Sequence, residues 1–345
     1  MLIPVVLLTF VSCTNTAGSK EKYKKSFLDL FDTVSTVMAY DDSQEEFDRK
    51  YSLFYDELKT YNDLFDIYKH YDGVTNLYDV NKKAVKAPVK VDKKIIGMLL
   101  YGKNAYNTTN GKMNICLGSV LTLWHNEREY GIANPDEAKL PDASKLKEAA
   151  KHIDIDNLII DTNNNTVYFK DPDMKLDVGA IAKGYAVEQI TEWAKNNLWT
   201  SAAISVGGNV SVFGYKNDDG KTKWNIGIEN PDTSSNEYLL KLNITDECIV
   251  TSGDYQRFYT VDGKKYCHII NPETLMPSEY MASVSVICKD SALGDAMSTA
   301  LFNMTVADGK KLVDSLDGVE AVWVDKEFNK TYSNGFEQFV DNDSE

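Results

Sequence analysis

Few cysteines, fewer histidines and no excess of positive charge set the first limits on this chain. Its 345 residues include five cysteines and four histidines. Cys116, Cys248, Cys267 and Cys288 are widely separated, and none has a second cysteine or a histidine at the short spacing of a zinc ligand set. They read as small buried residues, free or paired. Cys267 beside His268 does not make a nucleophile and its base, because neighbours on a strand point to opposite faces. With 37 Lys and Arg against 52 Asp and Glu, the formal net charge is -15, which argues against nucleic acid as a partner. Internal repeats, low-complexity tracts and a clear linker are also missing. A chain of this length with 43% hydrophobic residues can bury one large core or two small ones.

The apolar leader, residues 1–12, is too short to cross a bilayer and has no Lys or Arg ahead of it. It ends in a small residue before Cys13 and resembles a bacterial lipoprotein signal. Residues 1–25 are therefore expected to be signal and tether, with the polar tract 14–25 as the tether. A lipid anchor on Cys13 would put the protein in the bacterial cell envelope, on the outer face of the cytoplasmic membrane or in the periplasm. A cleaved signal or a buried first strand is the alternative.

What is present is a dispersed set of oxygen donors, glycines and one histidine. Asp290 or Ser291 can cap a mostly apolar helix that carries Asp295 and Thr299 four residues apart on one face. A carboxylate and a hydroxyl on such a helix need a partner, and a hard divalent cation would serve. Local pairing of Asp295 and back-bonding of Thr299 serve equally well for that helix alone. Residues 174–178 read as a strand feeding a glycine turn and then a helix from about Ala180 to Asn196. The free amides of that helix start, with Lys183 in its first turn, suit a phosphate. Gly207-Gly208 reads most simply as a turn between strands. His268, read as lying in a strand before a proline turn, is the candidate base for a hydroxyl nucleophile, or the residue that orients it. A structural histidine bonded to the backbone is the competing reading.

Taken in order, these pieces resemble the ApbE-type flavin transferases, also called FAD:protein FMN transferases. The likeness starts at Phe31-Asp32-Thr33 and runs through Leu64-Phe65-Asp66-Ile67-Tyr68, Asn76 to Asn81, Gly111 to Gly118 and Leu123-Trp124. It continues through Asp177 to Ala186, Val206-Gly207-Gly208-Asn209, Thr251 to Tyr255, His268 to Pro272 and Asp295 to Ala300. The resemblance implies a metal, Mg2+ or another hard cation, held by the side chains of Asp295 and Thr299 and the carbonyl of Ala180, with Ser298 a weaker ligand. It implies FAD as substrate near Phe31, Tyr68, Lys112, Met113, Asn114, Asp177, Lys183 and Ile270. The expected reaction moves FMN from FAD to a Thr or Ser hydroxyl of an acceptor flavoprotein in a membrane or extracellular electron-transfer system, releasing AMP. The rivals are an FAD pyrophosphatase and a non-enzymatic flavin-binding lipoprotein. The sequence departs from the family pattern in three places: Phe31-Asp32 replaces Met-Gly, Asn114 replaces an aspartate, and Leu275 stands where a glycine is usual.

The expected fold is α+β, a single ApbE-like, T-fold-related domain of mixed helices and antiparallel strands over 26–345, with an insertion near 124–150. Ser43 to Glu46 is a capping-box pattern opening a long helix whose buried stripe is Phe47, Tyr51, Phe54, Leu58 and Tyr61. Further helices are expected near Asp92 to Tyr106 and Ser144 to Lys151, a hairpin around Asn163-Asn164-Asn165, and mainly strands from Ala202 onward.

Overall fold

The structure, a computed structural model, describes residues 20–341. The leader and Cys13 lie outside the described residues. The chain begins with a hairpin of β1 (Glu21–Phe27) and β2 (Ser35–Asp41). Helix α1 (Gln44–Phe65) follows, capped by the Ser43 hydroxyl, which accepts the Glu46 N–H at 3.2 Å. Next come α2 (Leu77–Lys83), β3 (Val89–Lys90), α3 (Lys93–Thr108), α4 (Gly118–Ala133) and α5 (Ala143–Ala149). β4 (Leu158–Asp161) and β5 (Thr166–Phe169) form the expected asparagine hairpin, and α6 (Ala182–Asn197) follows. The second half supplies β6 (Ala202–Val206), β7 (Asn209–Phe213), β8 (Trp224–Ile228), β9 (Leu240–Ile244) and β10 (Glu247–Gly253). It closes with β11 (Phe258–Val261), β12 (Lys264–Cys267), β13 (Ser283–Cys288), α7 (Ser291–Phe302), α8 (Val306–Asp314), β14 (Glu320–Val324) and β15 (Lys330–Tyr332).

An eight-stranded antiparallel sheet in the order β1-β2-β6-β7-β10-β13-β14-β15 organises these elements into one α+β domain. Its register explains its two faces. In the row Val206, Val250, Val286 and Ala321, Val206, Val286 and Ala321 face the main core with α1, α6 and α7, and Val250 meets α7 at Gly294. The adjacent row, Val210, Ile249 and Ile287, faces a smaller core closed by Trp224 of β8, Leu242 of β9 and Phe336. This alternation follows from the two-residue period of a strand. Along α1, Phe47, Phe54 and Leu58 are fully buried, each worth about 1.5–3 kcal/mol relative to exposure. Tyr51 is only half-buried. The segment expected as an insertion forms the end of α4 and α5. It packs with the β11–β12 hairpin through Trp124, Leu146 and Tyr259.

Two expectations need correction. Residues 174–178 do not form a strand: Lys175 makes a single bridge with Leu117. The Asn81 side chain occupies both polar groups of Leu176, accepting its N–H at 2.8 Å and donating to its carbonyl at 2.9 Å. A side chain thus replaces the neighbouring strand. The stretch expected as a tether through Lys25 is part of the sheet from Glu21, where β1 is an edge strand with one face in solvent.

Helices α6 and α7 approach closely at Gly184. A Cβ there would overlap the Asp295 Cβ and the Ser291 carbonyl. Gly184→Ala is expected to destabilise the fold by about 1–3 kcal/mol, read as a lower urea midpoint with an unchanged slope.

Candidate active site

A cavity of about 630 Å3 opens beside the point where α6 and α7 meet and where β6, β7 and β10 turn. Its size is that of small-molecule and cofactor pockets. Asp290 starts α7 as expected, its Oδ1 accepting the N–H groups of Ala292 at 2.8 Å and Leu293 at 3.2 Å. One turn into the helix Asp295 is buried, and its Oδ2 accepts the Gly184 N–H at 2.7 Å. The Lys183 ammonium stands 4.0 Å from the same oxygen. Oδ1 has no hydrogen-bond partner among the described residues. Asp295, Thr299 one turn further on, and Ala180 just ahead of α6 all line the cavity. Carboxylate, hydroxyl and carbonyl oxygens on one wall form a donor set that fits a hard divalent cation.

Ser298 does not join them. It is fully buried and outside the cavity wall, sharing a hydrogen bond with the Ser252 hydroxyl at 2.9 Å and donating to the Asp295 carbonyl at 3.1 Å. One residue along a helix turns a side chain by about 100°, which here points it under the helix toward β10. The other cluster able to hold a metal among the described residues is His152, Asp171 and Asp173. It lies outside the cavity, and Asp171 already pairs with the His152 Nδ1 at 2.9 Å.

Of the eight residues expected around a flavin, Tyr68, Lys112, Met113, Asn114, Asp177, Lys183 and Ile270 line the cavity and Phe31 does not. The Phe31 ring packs on the main core and its N–H donates to Asn62 Oδ1 at 2.7 Å, so Asp32, Thr33 and Val34 form the wall in its place. Phe31 and Asp32 both have left-handed backbones, φ 55° and 49°. Leu275 is also left-handed, φ 60°, and its carbonyl accepts the Trp124 indole N–H at 2.9 Å. Asp32 and Leu275 thus keep the conformation that a glycine would adopt freely, at about 1–2 kcal/mol each. Asn114 spends both ends of its amide on the backbone, donating to Ile153 and accepting from Cys116. A carboxylate could not make the first bond. Tyr68 stacks on the His125 ring, with centroids 4.9 Å apart. Desolvation raises the Asp177 carboxyl above its usual range, although the Gly179 N–H, donated at 2.9 Å, and the nearby His125 and Arg128 pull it down.

His268 lies one residue beyond β12 and lines the cavity. Its Nδ1 is 3.2 Å from the Arg257 carbonyl. A carbonyl can only accept, so Nδ1 carries the hydrogen and Nε2 keeps a free lone pair. Burial, then the charges of Arg257, Lys183 and Arg128, push the imidazole down to about 3. Cys267 points away, with its thiol buried and raised by desolvation, so no dyad forms. The sequence reading missed the cavity residues His125, Arg128 and Arg257, which belong to no glycine- or proline-marked segment. With Lys112 and Lys183 the two arginines set four cations against the four carboxylates of the wall, Asp32, Asp177, Glu229 and Asp295, so the wall lacks the acidic excess of the chain.

The ApbE family model matches residues 31–323. The chain is 28% identical over 270 residues to the FAD:protein FMN transferase of Klebsiella pneumoniae (strain 342), covering 78% of this chain and 80% of that protein. It is 31% identical over 257 residues to the FAD:protein FMN transferase of Treponema pallidum (strain Nichols), covering 71% and 69%. The crystal structure of the ApbE protein of Thermotoga maritima superposes with a TM-score of 0.79 at 26% identity, covering 93% of this chain and all of that one (100%). The flavin transferase ApbE of Vibrio cholerae shares the fold, with a TM-score of 0.76 at 21% identity over 93% and 99% of the two chains.

The protonation state of His268 is directly measurable. Imidazole nitrogen shifts of the protein alone are expected to remain those of a neutral ring protonated at Nδ1 from about pH 8 down to about pH 5, below the ordinary histidine range. A ring that titrates near 6.5 would contradict this geometry.

Proposed function

The chain belongs to the ApbE family, and from that premise we propose that it is an FAD:protein FMN transferase, moving the FMN half of FAD to a Thr or Ser hydroxyl of an acceptor protein and releasing AMP. The observation that carries this reading is the wall of one cavity, which joins the oxygen donors Asp295, Thr299 and Ala180 with a neutral histidine and four cationic side chains. Asp295, Thr299 and the Ala180 carbonyl would hold a hard cation, expected to be Mg2+. When bound, such a cation offsets charge on the pyrophosphate and on the departing AMP.

The remaining work falls to the chain's own residues. Lys183, at the start of α6, attracts the pyrophosphate through its ammonium charge; the amides of Ile181, Ala182 and Gly184 beside it are already bonded to Val178 and Asp295. Arg128 and Arg257 add positive charge that offsets the carboxylates of Asp32, Asp177 and Glu229 on the same wall. Tyr68, Lys112, Met113, Asn114, Asp177 and Ile270 form the wall against which the flavin nucleotide is held. His268 Nε2 takes the proton as the acceptor oxygen bonds to the phosphorus on the riboflavin side, and the bond from that phosphorus to the AMP oxygen breaks. Arg257, through its carbonyl, fixes the tautomer that leaves Nε2 available. The acceptor fits a redox protein of the membrane or cell exterior, within reach of an enzyme lipid-anchored through Cys13 in the cell envelope.

Incubation with FAD, MgCl2 and an acceptor domain bearing a candidate threonine tests the reading. AMP is followed by chromatography and the acceptor by mass. An acceptor gaining an FMN phosphoester is the expected result. AMP and FMN formed without acceptor labelling would make the protein a pyrophosphatase, and no AMP would leave a flavin-binding protein. Asp295→Ala is expected to lower transfer by roughly a hundredfold or more, the equivalent of several kcal/mol of charge stabilisation, and a chelator should abolish it.

A further inference from the structure

Helices α6 and α7 are joined by a reciprocal pair of hydrogen bonds, of which only one reaches the cavity. Glu188, in the second turn of α6 and outside the cavity wall, accepts the Ser291 N–H through Oε2 at 2.8 Å. One turn along, Asp295 of α7 accepts the Gly184 N–H of α6 at 2.7 Å. Residues 184 and 188 are four apart on one helix, and 291 and 295 are four apart on the other, so the two bonds sit about one turn from each other. Each N–H belongs to the first turn of its helix, where the backbone has no acceptor of its own. Each helix start is therefore satisfied by a carboxylate from the other helix, the sign that a helix N-terminus favours.

Glu188 stands in an unfavourable place for a charge. Desolvation, then Asp290 and Glu192, raise its carboxyl to about 7 against the pull of the Ser291 N–H and Lys195. Asp290 is held separately by the Tyr101 hydroxyl at 2.6 Å and by its own cap bonds to Ala292 and Leu293. None of these groups can replace Glu188 at the Ser291 amide, because Asp290 spends Oδ1 on the next two residues of the helix.

We propose that Glu188 is a positioning residue for the cation site: by gripping the first amide of α7 it fixes how far that helix slides along α6, and so where Asp295 and Thr299 meet the cavity. This rests on the reading of Asp295 and Thr299 as cation ligands, and the test separates the two ideas.

The probe is Mn2+ alone, without FAD, titrated into the full chain and followed by electron paramagnetic resonance. Glu188→Ala is expected to weaken Mn2+ binding by about 10–100-fold, as for groups that orient metal ligands. Glu188→Gln keeps an acceptor oxygen and should stay within about threefold of the unaltered chain. Ser291→Pro deletes the same hydrogen bond from the other side at a first helical position that tolerates proline, and it should reproduce the alanine loss. Unchanged Mn2+ affinity in both Glu188→Ala and Ser291→Pro would overturn the proposal, as would an equal loss in the glutamine variant. Hydrogen exchange at the Gly184 amide, measured with no metal present, gives a second reading. Protection should fall at least tenfold in Glu188→Ala and be kept in Glu188→Gln; unchanged protection in the alanine variant would overturn the proposal. An unaltered chain that binds no Mn2+ would defeat the cation reading, while exchange at Gly184 would still decide whether Glu188 positions α7.

Discussion

The close contact of α6 and α7 at Gly184 is the constraint on which the site depends. Because no Cβ intervenes, the backbone of one helix start reaches the Asp295 carboxylate of the other, and a buried acid gains a fixed partner instead of a desolvation penalty. The same contact brings the glycine turn at Gly179 and Ala180 alongside the oxygen donors of α7. It also determines which side chains miss the cavity: Ser298, one residue before Thr299, is turned beneath the helix and pairs with Ser252 on β10. The sheet supplies the platform, with β10 packed directly under α7.

Formal charge at the site is balanced, unlike that of the whole molecule. The chain carries 15 more acidic than basic charges, yet in one cavity Lys112, Arg128, Lys183 and Arg257 match the carboxylates of Asp32, Asp177, Glu229 and Asp295 in number. Three of these cations, with burial, depress His268 far below an ordinary imidazole. A neutral ring is ready to accept a proton, though it is a weak base. The charge that would make it stronger is that of an anionic ligand between the cations, because a nearby negative charge favours the protonated form. The histidine is thus electrically coupled to occupancy of its own site.

Much of this was legible in the sequence where the determinant is local. Ser43 and Asp290 cap the helices they were expected to cap, and Asp295 and Thr299 share a face because helical spacing requires it. The two positions where a glycine is usual in the resembling family, Asp32 and Leu275, keep left-handed backbones, so the conformational demand outlasted the residue. The failures are tertiary. Nothing local in residues 174–178 indicates that Asn81, far away in the chain, takes the place of a strand. β1 reads as a polar tether because an edge strand with one face in water alternates charges with only a few apolar residues. Phe31 was expected beside FAD, but its backbone is left-handed and its ring packs against the main core. Arg128 and Arg257 carry no motif and are brought in by α4 and by the turn before β11.

The order of the strands determines when such a site can exist. β2 finds its partner in β6, so Ser35 waits for Val206, and the cavity wall collects residues from Asp32 to Thr299. Pairings this distant in sequence are made late and slowly in folding, after the local hairpins and helices. No short stretch of this chain gathers the oxygen donors, the histidine and the cations together. The complete set of site groups therefore exists only once the long-range strand pairs have formed.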